Sequence, residues 1–269
     1  VVTAGTRGRV LVVAGSDSGG GAGIQADVKT VTVLGGYAAT AVTAITVQNT
    51  LGVTGVHPIP VDVVEAQGRA VLDDIGADAL KTGMLGDAAV VEAAARLVDH
   101  ARVPAVIDPV MIAKGGARLS GGDEAVRAIA SLLVPRAALL TPNAPEAAAL
   151  TGRAVETTDD LRRAGERLLA MGARAVLMKG GHIAGDRVVD LLMTRAGEAV
   201  FEGARIESRH THGTGCTLAS ACAVGLAQGM PLADAVGRAW SYVREAMLRA
   251  PGFGAGHGPL DHAWPVRKA

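Results

Sequence analysis

The stretch HTHGTGCTLASA, residues 210–221, sets a glycine turn at what reads as a helix start and delivers a cysteine there. Glycines let backbone N–H groups face a bound anion, and the first turn of a helix carries donors with no internal partner. Gly213, Thr214 and Gly215, with Thr211 just before them, form a candidate anion-binding turn that ends on Cys216. His210 and His212 flank it, and either one contacts phosphate or both are exposed loop histidines without a role.

A second glycine loop, AGSDSGGGAGIQAD at residues 14–27, closes the first apolar run and opens a helix. Gly21, Gly23 and Ala26 satisfy the loose dinucleotide spacing G-x-G-x-x-A, but that site needs an acidic residue at the end of the second strand. The second strand, ATAVTAITVQNT, contains none. A Walker-type loop needs Gly-Lys followed by Ser or Thr, and neither glycine loop has a lysine. Close strand-to-helix packing would account for the glycines of this loop. It does not account for Ser16-Asp17-Ser18, which sets a carboxylate and hydroxyls at the edge where parallel sheets bind ligands.

The elements that must position these groups follow from hydrophobic periodicity. Strand-length apolar runs at 10–14, 39–46, 53–57, 78–82, 105–109, 138–141, 175–179, 188–193 and 198–202 alternate with helical patterns at 60–75, 87–101, 122–133 and 157–171. That alternation predicts an α/β fold, a mostly parallel sheet with helices on both faces. Thr157 and Asp160 suit a capping box, and Gly172 a C-terminal cap. Two further helices, 214–229 and 232–249, follow each other across GMP with no strand between and predict a helical hairpin. Segment 53–59 extends outward as an edge strand or small lid. No repeat, linker or charge block divides residues 1–269, so a single domain is expected.

This topology brings further polar groups to one rim: Gln48 and Asn49 after the second strand, Met84 after the fourth, Asp108 and Val110 after the fifth, Asn143 and Glu146 after the sixth, Lys179 after the seventh. Each has a plainer reading taken alone: Asp108 before Pro109 as a turn former, Met84 as core, Lys114 as solvated. Together, an anion-binding turn, two carboxylates and a lysine are the inventory for magnesium-assisted phosphoryl transfer.

Composition narrows the classes. Lys plus Arg and Asp plus Glu are both 26, with no basic run, which argues against a nucleic-acid partner. Cys216 and Cys222 are too few for a disulfide framework and fit a reducing, cytoplasmic setting. The N-terminal run VLVVAG enters a glycine loop rather than a cleavage site and is read as a strand, and no apolar stretch is long enough to cross a membrane. Aromatics are only 2% of the chain, so a ring-shaped ligand is expected to meet aliphatic, thioether and amide groups. With five lysines against 21 arginines, each lysine within a loop motif is unusually informative.

The motifs AGSDSGGGAGIQAD, TAITVQNT, KTGML, IDPVM, TPNAPEAAAL, VLMKGGH, THGTGCTLASA and GHGPLDHAW occur in this order almost end to end. In them the chain resembles the hydroxymethylpyrimidine and phosphomethylpyrimidine kinases of thiamine biosynthesis, a branch of the ribokinase-like superfamily. The resemblance implies a ribokinase-like sheet with a small β lid. It implies that MgATP phosphorylates 4-amino-5-hydroxymethyl-2-methylpyrimidine and then adds a second phosphate. It assigns Asp17, Gln48, Met84 and Val110, with Gly15 and Gly23 of the first loop, to the pyrimidine site. Lys179, Thr211 and the Gly213–Gly215 turn fall to the ATP phosphates. Asn143 and Glu146 match the magnesium-associated N-x-x-E pattern, with Asp108 near the metal, and a homodimer through the sheet edge is implied as well.

Sugar kinases of that superfamily end the turn on a catalytic aspartate, where this chain has Cys216. A helix N-terminus lowers a thiol pKa, so Cys216 is expected to sit nearer neutrality and to take the hydroxyl proton. An inert buried thiol is the alternative. If it is a base, Cys216→Ser should impair the first phosphorylation more than the second, whose phosphate nucleophile is already ionised. The Gln48 amide can meet both the donor and the acceptor of an aminopyrimidine edge, with Met84 and Val110 on the ring faces. Competing readings are a pyridoxal kinase or dual activity, and a ligand sensor that has kept the pocket without turnover; a lone sugar kinase lacks its aspartate.

Overall fold

The computed structural model describes residues 8–111 and 122–267, so Lys114 lies outside the described residues. Strand β1, Arg9–Asp17, shows why the sheet is central. Val10, Val12 and Ala14 pack to one face and Leu11 and Val13 to the other, all fully buried. A strand apolar on both faces needs helices above and below, as parallel sheets have.

Among the described residues, nine strands form one sheet. After β1 come β2 (Tyr37–Asn49), β3 (Gly52–Pro58), β4 (Ala79–Thr82), β5 (Ala105–Ile107), β6 (Leu139–Leu140), β7 (Ala175–Met178), β8 (Arg187–Thr194) and β9 (Gly197–Ala204). Their order across the sheet is β3-β2-β1-β4-β5-β6-β7-β8-β9. The six strands from β2 to β7 run parallel, while β3 at one edge and β8 and β9 at the other pair antiparallel.

One face is covered by α2 (Val61–Asp74), α3 (Ala88–Ala101), α4 (Asp123–Ala128), α5 (Ala144–Thr151) and α6 (Thr158–Ala170). The opposite face carries α1 (Gly23–Val33), α7 (Thr214–Ala227) and α8 (Leu232–Leu248). The expected capping box is present in α6, where Thr157 accepts from the Asp160 N–H and Asp160 accepts from the Thr157 N–H. Gly172 follows with φ +111°. Helices α7 and α8 form the expected hairpin.

Three boundaries differ from the periodicity, each for a physical reason. Strand β2 runs to Asn49 because its far end pairs with β3, which carries the polar Gln48 and Asn49 into the ladder beyond the apolar run and leaves Ile45 and Val47 exposed. The helix read over 122–133 is α4 followed by a π-turn at Ile129–Leu133 and a 3₁₀ turn at Val134–Arg136, where Pro135 has no N–H to extend the ladder. Helix α5 was not anticipated, since eight residues with a proline in the first turn give almost no periodicity.

Candidate active site

The C-terminal ends of β1, β2, β4, β5, β6 and β7 open into one cavity of about 700 Å³. Most of the candidate residues named from the sequence line it: Gly15, Asp17, Gly23, Gln48, Met84, Asp108, Val110, Asn143, Glu146, Lys179, Thr211, Gly213, Thr214, Gly215 and Cys216, whereas Asn49 and His210 do not. Strand order and the loop into α7 together bring residues up to about 200 positions apart to one rim.

The glycine turn is built by close contact. Gly213 has φ +82°, and a Cβ there would overlap the Gly21 carbonyl, so the two glycine loops pack backbone to backbone. Within the first loop a Cβ on Gly23 (φ +55°) would overlap the Gly15 carbonyl. The first helical hydrogen bond of α7 runs from the Thr217 N–H to the Gly213 carbonyl at 2.9 Å. The N–H groups of Gly215 and Cys216 therefore have no acceptor within the helix.

Asp17 holds this wall together. Its Oδ1 accepts the Gly19 N–H (2.8 Å), and its Oδ2 accepts the N–H groups of Gly21 (3.1 Å) and Ala22 (2.8 Å) and lies 2.8 Å from His212 Nε2. Burial pushes the carboxyl upward, but the His212 and backbone hydrogen bonds outweigh it and hold Asp17 below its ordinary value. A side chain with this many donors and only 3% exposed shapes the loop before it meets any ligand. His212 is thus a buried partner of Asp17 that also lines the cavity, rather than an exposed loop histidine without a role.

Gln48 lies beside this pair, its Nε2 3.2 Å from His212 Nε2 and its Oε1 3.1 Å from Thr46 Oγ1. Met84 is buried at the end of β4, where its carbonyl accepts from the Gly15 N–H at 3.1 Å and from Thr43 Oγ1 at 2.6 Å. Val110, half-buried, follows Asp108 on the same rim.

The same cavity holds a charged cluster. Lys179 Nζ lies 3.0 Å from Asp108 Oδ1 and 3.8 Å from Glu146 Oε2. Burial would lower the lysine, but Asp108 and Glu146 raise it above its ordinary value and keep it an ammonium. Asn143 and Glu146 form the capping box of α5: Asn143 Oδ1 accepts the Glu146 N–H, and Glu146 Oε2 accepts the Asn143 N–H. Burial raises the Glu146 carboxyl to about 7, with Lys179 and the cap opposing and Asp108 adding to the shift. Asp108 Oδ1 also accepts from Thr141, whereas the buried Oδ2 has no partner among the described residues. A Cβ on Gly215 would lie 3.2 Å from Lys179 Nζ and 3.8 Å from Asp108 Oδ2, so the glycine turn adjoins this cluster.

Cys216 requires a correction. Its thiol is pushed up to about 11, not down toward neutrality. Burial dominates and the carboxylates of Asp27 and Asp108 add to it, while Lys81 and the Gly23 N–H pull the other way without prevailing. Burial and the neighbouring carboxylates outweigh the local field of the helix end.

Those charges belong to a buried network that motif reading missed. Lys81 Nζ lies 2.9 and 3.0 Å from the two oxygens of Asp27, both residues fully buried, and Ser220 Oγ donates to Asp27 at 2.6 Å. Lys81 stays protonated: burial opposes this, but Asp27, Cys216 and Asp108 outweigh it. The available signal was one of only five lysines sitting inside an apolar strand. Also missed was the far end of the cavity, lined by Trp240, Arg244 and Arg205. The Arg244 guanidinium stands 4.7 Å from the Trp240 ring centre. One of the two tryptophans therefore lines the cavity, with the Arg244 guanidinium over its ring.

The phosphomethylpyrimidine kinase family model matches residues 17–261, which include every candidate site residue but Gly15. The chain belongs to that family. Membership makes it a kinase of the ribokinase-like fold. It is 50% identical over 257 residues to the hydroxymethylpyrimidine/phosphomethylpyrimidine kinase of Streptomyces coelicolor, covering 96% of this chain and 95% of that one. It is 51% identical over 257 residues to a thiamine biosynthesis bifunctional protein of Geobacter sulfurreducens, where it covers 95% of this chain and spans about half, 52%, of the relative. Among solved structures, an ADP complex of Bacillus subtilis pyridoxal kinase superposes with a TM-score of 0.90 at 35% identity, over 97% of this chain and all of that one. Among the described residues no helix is long and apolar enough to cross a membrane.

Proposed function

We propose that this kinase transfers the γ-phosphate of ATP to the hydroxymethyl oxygen of 4-amino-5-hydroxymethyl-2-methylpyrimidine, and then a second phosphate to that product, giving the diphosphate that enters thiamine diphosphate biosynthesis. The observation that carries the reading is the single cavity in which the Gly213–Cys216 turn and the Lys179 cluster face the Gln48, Met84 and Val110 wall.

In the first step the hydroxymethyl oxygen bonds to the γ-phosphorus, the bond to the bridging oxygen breaks, ADP leaves and the hydroxyl proton is released. Such a transfer is governed by positioning and charge neutralisation. The N–H groups of Gly215 and Cys216 and the Lys179 ammonium are suited to the phosphate oxygens, with Thr211 and Thr214 beside them. A thiol held near 11 is protonated at neutral pH, which favours Cys216 as part of the anion hole over Cys216 as base. Met84 and Val110 offer apolar cover to the ring, and Gly15 and Gly23 let the loop close around it.

The donor set suits magnesium in part. The unpartnered Asp108 Oδ2 and the Glu146 carboxylate are hard oxygens, and magnesium takes one or two carboxylates alongside substrate phosphates. Asn143 contributes by fixing Glu146, since its own oxygen caps α5. When bound there, the ion neutralises phosphate charge. Among the described residues no group of three acidic, histidine or cysteine side chains forms a protein-only cage, which fits an ion shared with ATP. Trp240 and Arg244 are placed for the nucleotide base.

The continuous nine-stranded sheet supports one kinase domain over the whole chain. The exposed Ile45, Val47, Leu51 and Val56 on β2, β3 and their connecting turn support a homodimer through that sheet edge. Two unpaired thiols support a reducing, cytoplasmic setting. The likeness to a pyridoxal kinase keeps pyridoxal as the competing substrate. Initial rates with the pyrimidine and with pyridoxal, followed by ADP release, test the reading. The pyrimidine should give the larger kcat/KM, a preference for pyridoxal would reverse the assignment, and no substrate-dependent ADP would favour a sensor.

A further inference from the structure

We propose that His212 and Thr46 lock the Gln48 side-chain amide in one orientation, oxygen toward His212 and nitrogen toward Thr46, and so fix the donor–acceptor polarity with which the cavity reads its ring. This rests on the pyrimidine reading above and deepens it. His212 and Thr46 act here as positioning residues.

The available hydrogens fix the orientation. Asp17 accepts three backbone N–H groups, from Gly19, Gly21 and Ala22, and such a carboxylate has no proton to give. The 2.8 Å contact between His212 Nε2 and Asp17 Oδ2 must therefore carry its hydrogen on the histidine. A second donor cannot face that nitrogen, yet Gln48 Nε2 lies 3.2 Å from it. At the other end, Thr46 Oγ1 donates its single hydrogen to the Ser16 carbonyl at 2.9 Å. It has none left for Gln48 Oε1 at 3.1 Å. A half-turn of the amide, which exchanges its oxygen and nitrogen at nearly unchanged shape, cures both conflicts at once. The His212 N–H is then shared between Asp17 and Gln48 Oε1, and Thr46 accepts from Gln48 Nε2.

The rest of the surroundings hold the arrangement still. The Gln48 backbone is pinned on both sides by Ser18, whose hydroxyl donates to the Gln48 carbonyl at 2.7 Å and accepts its N–H at 2.8 Å. The His212 ring lies against Gly21, where a Cβ would collide with it, and the His212 backbone N–H donates to the Gly258 carbonyl at 3.2 Å. One oxygen lone pair and one N–H of Gln48 remain for the cavity that it lines. Those are complementary to an amino group beside an unprotonated ring nitrogen. They oppose the 4-oxo analogue, in which a carbonyl and a ring N–H reverse the pattern.

The test compares kcat/KM for 4-amino-5-hydroxymethyl-2-methylpyrimidine and its 4-oxo analogue. The unsubstituted protein should favour the amino form by about 100-fold or more, because a mispaired polar edge is strongly rejected. Thr46→Val removes the acceptor and should shrink that ratio by about 5- to 10-fold, the worth of one hydrogen bond. Thr46→Ser keeps the hydroxyl and should restore the ratio to within about two-fold. A parallel fall for both substrates with an unchanged ratio would mean a purely structural role and overturn the lock alone. Failure of the unsubstituted protein to phosphorylate either pyrimidine would overturn the substrate reading and this inference with it. Nitrogen-15 NMR of the unsubstituted protein supplies a check free of folding defects. His212 should carry its proton on Nε2, and a neutral ring protonated only on Nδ1 contradicts the proposal.

Discussion

Asp17 and Asp108 stand on the same rim and are equally buried, yet they are chemically opposite. Asp17 is saturated, its two oxygens taken by three backbone N–H groups and His212. Asp108 has Thr141 and Lys179 on one oxygen and leaves the other, buried, without a partner among the described residues. A fully paired carboxylate builds structure, whereas a half-paired one is a cost the fold carries for a ligand. On the proposed reading, the wall that meets the ring is complete before substrate arrives, and the floor that meets phosphate is completed by it.

The largest break in this comparison should come from the floor. Lys179→Met is expected to lower kcat by about 10³-fold with the fold intact, since it removes the ammonium aimed at developing phosphate charge. Steady-state kinetics beside circular dichroism would check both halves. Next, the two carboxylates can be set against each other. Asp17→Asn presents an amide to a nest of donors and should cost about 2–4 kcal/mol in thermal or urea unfolding. Asp108→Asn should cost clearly less stability and about 10²-fold in kcat. Equal stability losses for the two would erase the distinction.

A smaller effect sharpens it through pH. Because the Glu146 carboxyl stands near 7 in the folded chain against 4.5 normally, folding favours its protonated form. That contribution is complete below about 4.5 and is lost as pH rises through about 7. Glu146→Gln, which keeps a capping side chain, should remove this loss and leave the ligand-free protein relatively more stable above pH 7. Magnesium competes for the ionised form, so its apparent affinity should improve by up to about tenfold per pH unit between 5.5 and 7 and then level off. A flat magnesium titration across that range would remove Glu146 from the metal site. The smallest effect concerns Cys216. With the thiol protonated, Cys216→Ser should cost under about tenfold and slow both phosphorylations alike. A selective loss of the first step in single-turnover assays would restore the base.

The same contrast explains what the sequence revealed. Strands such as β1 were legible because both their faces are apolar, and the order of strands with the loop into α7 then carried most candidate residues to one rim. Helix α5 was not, because Asn143 and Glu146 signal a ligand motif and a capping box with the same letters. The Lys81–Asp27–Ser220 network joins β4, α1 and α7, and nothing local marks such a pairing. His212 read as a loop histidine because its partner Asp17 lies 195 residues away. The thiol shift of Cys216 was misjudged for a related reason: the helix end is local, while the burial and carboxylates that outweigh it are tertiary.

The central claim is that this cavity holds an aminopyrimidine for two successive phosphorylations. Mass spectrometry of the products after incubation with MgATP and 4-amino-5-hydroxymethyl-2-methylpyrimidine tests it most directly. The account predicts the monophosphate appearing first and the diphosphate accumulating from it. Absence of any phosphorylated pyrimidine, with pyridoxal phosphate formed readily from pyridoxal under the same conditions, would contradict it.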